Sequence, residues 1–137
     1  FHRGDYMLPI ADLIGKPYID GADGPEGYDC WSLAREVFRR AGIILPDYRV
    51  AAVDASIDAQ INKQRPDWVR CEGEPPVPAL IVFRLEGVYA NHVGVYIGGG
   101  KFIHIFEKTS ACIDRIDRPL WKRKIEGFYI PGWVSYG

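Results

Sequence analysis

The spacing of apolar residues changes along the chain from a helical period to a strand period. After a loop rich in Gly, Pro and Asp at 16–28, apolar residues recur three and four positions apart, as on one face of a helix. They are Leu33, Ala34, Val37, Phe38 and Ala41. We predict a helix that begins near Asp29 or Cys30 and is ended by Gly42, a residue typical of helix C-termini.

A second helix is predicted over 50–63. Its apolar stripe consists of Val50, Val53, Ile57 and Ile61, and Pro66 ends it. The prolines of EGEPPVP, 72–78, exclude a helix there and indicate a stiff connector.

Beyond this connector the period becomes two, which is typical of β-strands. We predict strands over 80–85, 91–97, 101–106 and 111–116, a helical turn at PLWKRK and a closing strand at GFYIP. The three glycines at 98–100 form the turn between the second and third strands. Helices followed by antiparallel strands indicate an α+β fold, with N-terminal helices packed on an antiparallel sheet.

Length and composition are typical of one domain. The 137 residues, 47% hydrophobic and 26% charged, predict a single domain over 1–137, in which 1–15 form an N-terminal extension that could include part of a tag. A net charge of −1 gives no reason to expect a nucleic-acid partner.

No apolar run approaches the roughly 20 residues of a membrane span. The opening FHRGDYMLPI does not resemble a signal peptide, because Asp5 and Pro9 interrupt it.

The cysteines do not form a metal-binding motif. Cys30, Cys71 and Cys112 lie far apart without a Cys-X-X-Cys pair, so a zinc knuckle is not expected. An odd number of cysteines argues against a fully paired disulfide framework, although one bridge with one free thiol stays open.

Cys30 has two interpretations, a packing residue or a reactive thiol. Unpaired N–H groups at a helix N-terminus lower the pKa of a thiol, and we expect Cys30 to be ionised if it is catalytic. The neighbouring Asp29 opposes this unless its carboxylate caps the helix. For an isolated cysteine beside a helix, buried packing is the commoner role.

The glycine turn decides whether two histidines meet. With a three-residue turn, Ile97 pairs with Lys101 and Gly94 lies opposite His104, so that His92 and His104 are diagonal neighbours on one face. A two-residue turn would place His104 on the opposite face.

Gly94 indicates a close approach to the hairpin backbone. Glycine within a strand is often found where another element comes near. The start of the Cys30 helix is one candidate, and a bulge or a packing accommodation is the other. A metal site of Cys30, His92 and His104 is conceivable on ligand type alone, but we expect no metal.

Two motifs, in this order, resemble those of the NlpC/P60 superfamily of papain-like cysteine peptidases. They are GYDCWSL around Cys30 and NHVGVYIGGGKFIH around His92 and His104. That family shows an Asp-Cys at a helix start, a His-Val-Gly-hydrophobic-Tyr-hydrophobic-Gly strand and a polar residue on the next strand. The resemblance covers roughly 18–130 and implies a papain-like NlpC/P60 core.

The resemblance assigns roles to four residues. It implies that Cys30 is the nucleophile, His92 the general base and His104 the residue that orients the imidazole. Tyr18 matches the position of a tyrosine that lies over the nucleophile and helps the oxyanion hole, against the alternative of a buried loop aromatic.

The residues beside the nucleophile depart from many family members. We expect Asp29 and Trp31 to contact the substrate. The Asp-Cys-Trp opening resembles a branch found in phage tail assembly proteins and prophages, where many cell-wall members read Asp-Cys-Ser-Gly-Leu. Trp31, Ile105 and Phe106 place bulk near the cleft, so the substrate preference does not follow from the resemblance.

The family implies hydrolysis of peptidoglycan stem peptides, next to D-γ-glutamyl and a diamino acid, through a Cys thioester and without a cofactor. The site of action would be the bacterial cell wall, from the periplasm, the exterior or a virion. One alternative is a structural or docking component of a phage tail-like particle, with vestigial activity and tail proteins as partners. Another is an amidase or acyltransferase on the same scaffold.

Overall fold

The fold is known from a computed structural model that describes residues 8–45, 68–85, 92–106 and 109–136. The helices in these ranges are a 3₁₀ helix, Ala11–Leu13, and two α-helices, α1 (Cys30–Arg40) and α2 (Pro119–Lys122). The strands are β1 (Trp68–Arg70), β2 (Ala79–Phe83), β3 (His92–Gly98), β4 (Lys101–His104), β5 (Cys112–Arg115) and β6 (Ile125–Pro131). The helix predicted over 50–63 lies outside the described residues. Across the ranges given above, no helix is long and apolar enough to cross a membrane.

Helix α1 begins at Cys30 because its N-terminus carries a reciprocal cap. The Asp29 carboxylate accepts from the Ser32 N–H at 2.8 Å, and the Ser32 hydroxyl accepts from the Asp29 N–H at 3.0 Å. A cap of this kind is worth about 1 kcal/mol. At the other end, Gly42 adopts φ +85°. The predicted helix and both of its ends are confirmed.

The start of the described chain belongs to the core. Ile10 and Leu13 are fully buried in the same cluster as α1. Arg40 of α1 ties this segment down, because it pairs with the Asp12 carboxylate and donates to the Pro9 carbonyl at 3.0 Å. These contacts join the segment to the core around α1.

The strands form one antiparallel sheet in the order β1-β6-β2-β3-β4-β5. We call the face that α1 covers the helix face. Its buried residues on and beside the strands include Leu80, Val82, Val93, Val95, Ile97, Ile103 and Ile105. The opposite face, which we call the aromatic face, is lined by Ala79, Ile81, Phe83, Tyr96 and Phe102 and covered by Trp121 of α2. The α+β architecture predicted from the sequence is confirmed.

The β3–β4 hairpin reaches the predicted histidine register by a different route. Gly98, and not Ile97, lies opposite Lys101, so the predicted Ile97–Lys101 pair is wrong. The turn itself therefore spans 99–100, and a register shift between Tyr96 and Gly98 adds one residue to β3. This β-bulge restores the pairing of Gly94 with His104, which is confirmed.

Gly94 accommodates β4 and not α1. A Cβ atom at this position would lie 3.1 Å from the Cβ of His104 and 3.1 Å from the Ile103 carbonyl oxygen. The start of α1 packs on the opposite face, where Cys30 shares a cluster with Val93. Of the two interpretations of Gly94, the approach of α1 is wrong and the packing accommodation is right.

Candidate active site

Cys30 is the first residue of α1, and its side chain is buried. The residue is 2% exposed. Burial raises the pKa of the thiol to about 12, and the charge of Asp29 also raises it, while backbone hydrogen bonds from Val93, Cys30 and Trp31 lower it. Loss of solvation therefore outweighs the helix N-terminus. The helix N-terminus alone favours the thiolate, whereas the raised pKa of Cys30 favours the neutral thiol in this structure.

Two imidazoles meet on the aromatic face, as the register of the hairpin requires. His92 Nε2 lies 3.0 Å from His104 Nδ1, and each residue is 1% exposed. Phe106 stacks on His92 with ring centroids 4.5 Å apart, and Phe83 lies 5.2 Å away. The prediction that both rings share one face is confirmed.

A carboxylate that the sequence analysis did not single out extends this pair. His104 Nε2 lies 3.0 Å from Asp114 Oδ2, and the other carboxylate oxygen accepts from Arg118 Nη1 at 3.0 Å. His104 pairs with Cys112 in the β4–β5 register, so Asp114 is its diagonal neighbour. Asp114 lies within the predicted strand 111–116, which indicated that it would be near β4. No tight turn fixes the register between β4 and β5, so its position beside His104 could not be predicted.

The carboxylate determines where the protons lie on both rings. A carboxylate only accepts, so His104 carries its proton on Nε2 and its Nδ1 is an acceptor. His92 therefore donates from Nε2, which leaves its Nδ1 free of a proton. Burial lowers the pKa of His92 well below its ordinary value, and the neighbouring imidazole adds to this. Burial also lowers the pKa of His104, although Asp114 opposes it.

Cys30 meets strand β3 immediately beside His92. The sulfur of Cys30 is hydrogen-bonded by the backbone of Val93, the residue that directly follows His92. Among the residues that the structure describes, no hydrogen bond joins Cys30 to His92. In this arrangement, which we call closed, Cys30 is buried and is not hydrogen-bonded to His92.

The NlpC/P60 family model matches residues 15–129 of this chain, which include the capped cysteine and both histidines. The chain belongs to the NlpC/P60 family. The papain-like core implied by the sequence motifs is thereby confirmed.

Relatives of this NlpC/P60 chain are named as endopeptidases and hydrolases. It is 30% identical to the probable endopeptidase p60 of Listeria grayi over 84% of this chain and 20% of that protein. The gamma-DL-glutamyl hydrolase of Bacillus subtilis is 30% identical over 83% of this chain and 26% of its own length. The murein DD-endopeptidase MepS/murein LD-carboxypeptidase of Escherichia coli K12 is 28% identical over 86% and 57%. The chain thus spans between a fifth and somewhat over half of these proteins.

Solved structures show the same fold. An NlpC/P60 family protein from Bacillus cereus superimposes with a TM-score of 0.63 at 24% identity, over 90% of this chain and 41% of that one. The P60 domain of antigen MAP1204 from M. avium subspecies paratuberculosis has a TM-score of 0.59 at 20% identity, over 93% and 90%. None of these names supports the phage-tail branch.

Tyr18 lies beside the core that contains Cys30. Its side chain is half-buried against the cluster that includes Cys30, and its hydroxyl lies 3.5 Å from Asp20 Oδ1. The backbone N–H of the next residue, Ile19, donates to the Tyr28 carbonyl at 3.1 Å, two residues before Cys30. The position fits the predicted role in the oxyanion hole, which stays a prediction.

The two residues predicted to contact the substrate are both buried. Asp29 directs its carboxylate to the helix cap, and Trp31 packs in the core around α1. Neither reaches the surface in this closed structure, so substrate contact by either residue stays a prediction that requires the site to open.

The remaining cysteines are free thiols. Cys30, Cys71 and Cys112 are all unpaired, so the alternative of one disulfide bridge is wrong. Cys71 is partly buried and Cys112 is exposed.

Proposed function

We propose that this NlpC/P60 chain is a cysteine endopeptidase that hydrolyses peptidoglycan stem peptides. The observation that carries the proposal is the hydrogen-bonded series His92–His104–Asp114, which begins one residue from the backbone contact of Cys30. A nucleophile, a base and an orienting group in this order are what acyl transfer by a thiol requires. The names of the relatives support the substrate class.

The first step is general-base-assisted attack, because both reacting groups start neutral. Nδ1 of His92 accepts the Cys30 proton while the sulfur bonds to the scissile carbonyl carbon. The positive charge on His92 is stabilised by donation from Nε2 to His104, which in turn donates to Asp114. The backbone N–H groups of Cys30 and Trp31, which already lie beside the sulfur, are the donors that we assign to the oxyanion.

The second step breaks the peptide bond and releases the amine. The tetrahedral intermediate collapses to a thioester, and His92 transfers its proton to the leaving nitrogen. A water molecule, deprotonated by His92, then attacks the thioester. The products are a free carboxylate and the regenerated Cys30 thiol.

Substrate binding has to open the site, since Cys30 is 2% exposed. Opening exposes the sulfur to solvent, which lowers the pKa of the thiol. Closure in the absence of substrate therefore protects the thiol, whereas the open site restores its reactivity.

The bond that we assign is the one between D-γ-glutamyl and the diamino acid. One relative is named a gamma-DL-glutamyl hydrolase, and this bond fits the family resemblance of the two motifs. Trp31, Ile105 and Phe106 add bulk to the core around the site, and we expect them to restrict which stem peptides are accepted.

Purified muropeptides test the proposal. Wild-type protein should split stem peptides at the γ-glutamyl bond, as read by mass spectrometry, and Cys30→Ala should lower the rate at least about a thousandfold because the nucleophile is lost. Cys71→Ala is the matched control and should retain wild-type turnover.

The products also separate the alternatives. A new amide or ester, in place of a free carboxylate, would establish an acyltransferase. Intact muropeptides, together with stable association with tail proteins, would establish the docking component instead. Turnover by folded Cys30→Ala would exclude the thiol mechanism.

A further inference from the structure

A second set of donor atoms lies at the outer end of the histidine series. His104 and Cys112 are paired across β4 and β5, and Asp114 follows two residues later on the same face. A ring nitrogen of His104, Sγ of Cys112 and a carboxylate oxygen of Asp114 all lie within 4.8 Å of one another, and Nε2 is the nitrogen that faces Asp114. Asp114 Oδ2 lies 3.0 Å from His104 Nε2 and 3.9 Å from Cys112 Sγ, so it contacts both of the other donor atoms.

We propose that His104, Cys112 and Asp114 bind a zinc ion, and that this binding inhibits the hydrolase. The inhibition, though not the binding, rests on the proposed function. Tetrahedral zinc holds nitrogen, sulfur and oxygen ligands at roughly 2.0–2.3 Å, which places the ligand atoms roughly 3.3–3.8 Å apart. The distances from Asp114 Oδ2 bracket that range.

The types of donor select the kind of ion. Imidazole and thiolate suit zinc and disfavour magnesium or calcium, which prefer oxygen ligands. Three protein ligands leave a fourth position for water. Arg118 does not block the site, because it pairs with the other carboxylate oxygen of Asp114.

An ion can reach this site while the active site is closed. Cys112 lies on β5, an edge strand of the sheet, and is exposed, in contrast to the buried Cys30. Binding releases the Cys112 thiol proton, because the thiolate is the form that binds metal.

Zinc bound to His104 would move the proton of each imidazole to the other ring nitrogen, which is the reverse of the arrangement that the mechanism needs. A neutral imidazole bound through Nε2 carries its proton on Nδ1, so the proton now on His92 Nε2 passes to His104 Nδ1. His92 then accepts at Nε2 and carries a proton on Nδ1, which is the atom that has to take the proton from Cys30. The proton displaced from His104 Nε2 balances the one gained by His92, so the thiol proton is the net release.

Cobalt(II) tests the binding without any assay of activity. Full-length protein titrated with cobalt should develop a near-ultraviolet thiolate-to-cobalt absorption, which zinc then removes. The band should be lost in Cys112→Ser and weakened in Asp114→Asn, and it should persist in Cys30→Ala. Absence of the band from wild type, or its loss in Cys30→Ala but not in Cys112→Ser, would overturn the proposal.

Muropeptide cleavage tests the inhibition. Zinc at micromolar concentration should slow wild type at least tenfold, and EDTA should reverse this. Cys112→Ser should retain basal activity and need at least tenfold more zinc for the same effect. Equal sensitivity of this variant would show that zinc acts at another site and would overturn the inhibitory site. If wild type cleaves no muropeptide, the proposed function fails, and the cobalt titration still decides whether the site exists.

Discussion

The two faces of the central sheet both carry buried clusters, but the side chains in those clusters differ in kind. The helix face packs mainly aliphatic strand residues against α1 and holds the sulfur of Cys30 at the start of that helix. The aromatic face buries two imidazoles among phenylalanine and tryptophan rings. Apolar burial of the first kind stabilises a fold without further conditions, whereas buried imidazoles are tolerated only when they are hydrogen-bonded. The helix face therefore supplies stability, and the aromatic face supplies a defined protonation state.

Truncation on the helix face should give the largest change in stability. Phe38 is fully buried and packs edge-on to Trp68 at 6.4 Å. Phe38→Ala should lower the free energy of unfolding by about 3–5 kcal/mol, because it removes buried contacts and leaves a cavity. Urea denaturation measures this, and activity per folded molecule should stay within about twofold of wild type. The control is Leu120→Ala on the 53% exposed side chain of α2, which should change stability by less than about 0.5 kcal/mol. A folded Phe38→Ala protein without activity would contradict the division between the faces.

On the aromatic face, loss of the carboxylate should affect rate more than stability. Asp114→Ala should lower kcat about ten- to hundredfold, the usual effect of losing a group that orients a functional histidine. Asp114→Asn should recover part of this loss, because an amide oxygen still accepts from His104 Nε2 but carries no charge.

The pH profile separates this positioning role from a structural one. Asp114 raises the pKa of His104, so its removal should move the acid limb of the rate profile to lower pH. The assays contain EDTA, so that bound metal does not contribute. An unshifted profile with a lower rate would mean that Asp114 acts only on the fold.

The smallest effect is expected for alkylation, which reports how closed the helix face is. Iodoacetamide at pH 8 should modify Cys112 at least about ten times faster than Cys30, because the thiolate reacts and Cys30 combines burial with a pKa of about 12. Mass spectrometry of the labelled peptides gives the order in which the cysteines react. Faster modification of Cys30 would show that the open form dominates in solution.

The raised pKa of Cys30 also affects stability. Between about pH 9 and 12 the unfolded chain loses the thiol proton before the folded one, so the contribution of Cys30 makes the protein less stable as pH rises.

The sequence predicted features that depend on local pattern. The apolar period and the Asp29 cap placed the start of α1, and the glycine triplet gave the pairing of Gly94 with His104 even though the bulge beside Gly98 was missed. The alternation of residues along the strands identified two faces, but it did not show which face packs against a helix. The interpretation that α1 approaches Gly94 was therefore wrong.

Other features depend on contacts distant in sequence. The β4–β5 register is not fixed by a short turn, so the meeting of His104 and Asp114 was not predicted. The neutral state of Cys30 arises from burial by the whole fold, and the helix N-terminus alone indicated the opposite direction for its pKa.

The position of Asp114 on an edge strand has a consequence for local motion. β5 is held by one neighbouring strand, whereas His92 lies on β3, which is paired on both sides. Strands at the margin of a sheet fray at a lower free energy than those at its centre. Brief detachment of β5 would therefore remove Asp114 from His104 while the rest of the sheet stays folded. His104 could then carry its proton on either ring nitrogen. Activity would consequently be lost at a lower temperature than the fold itself.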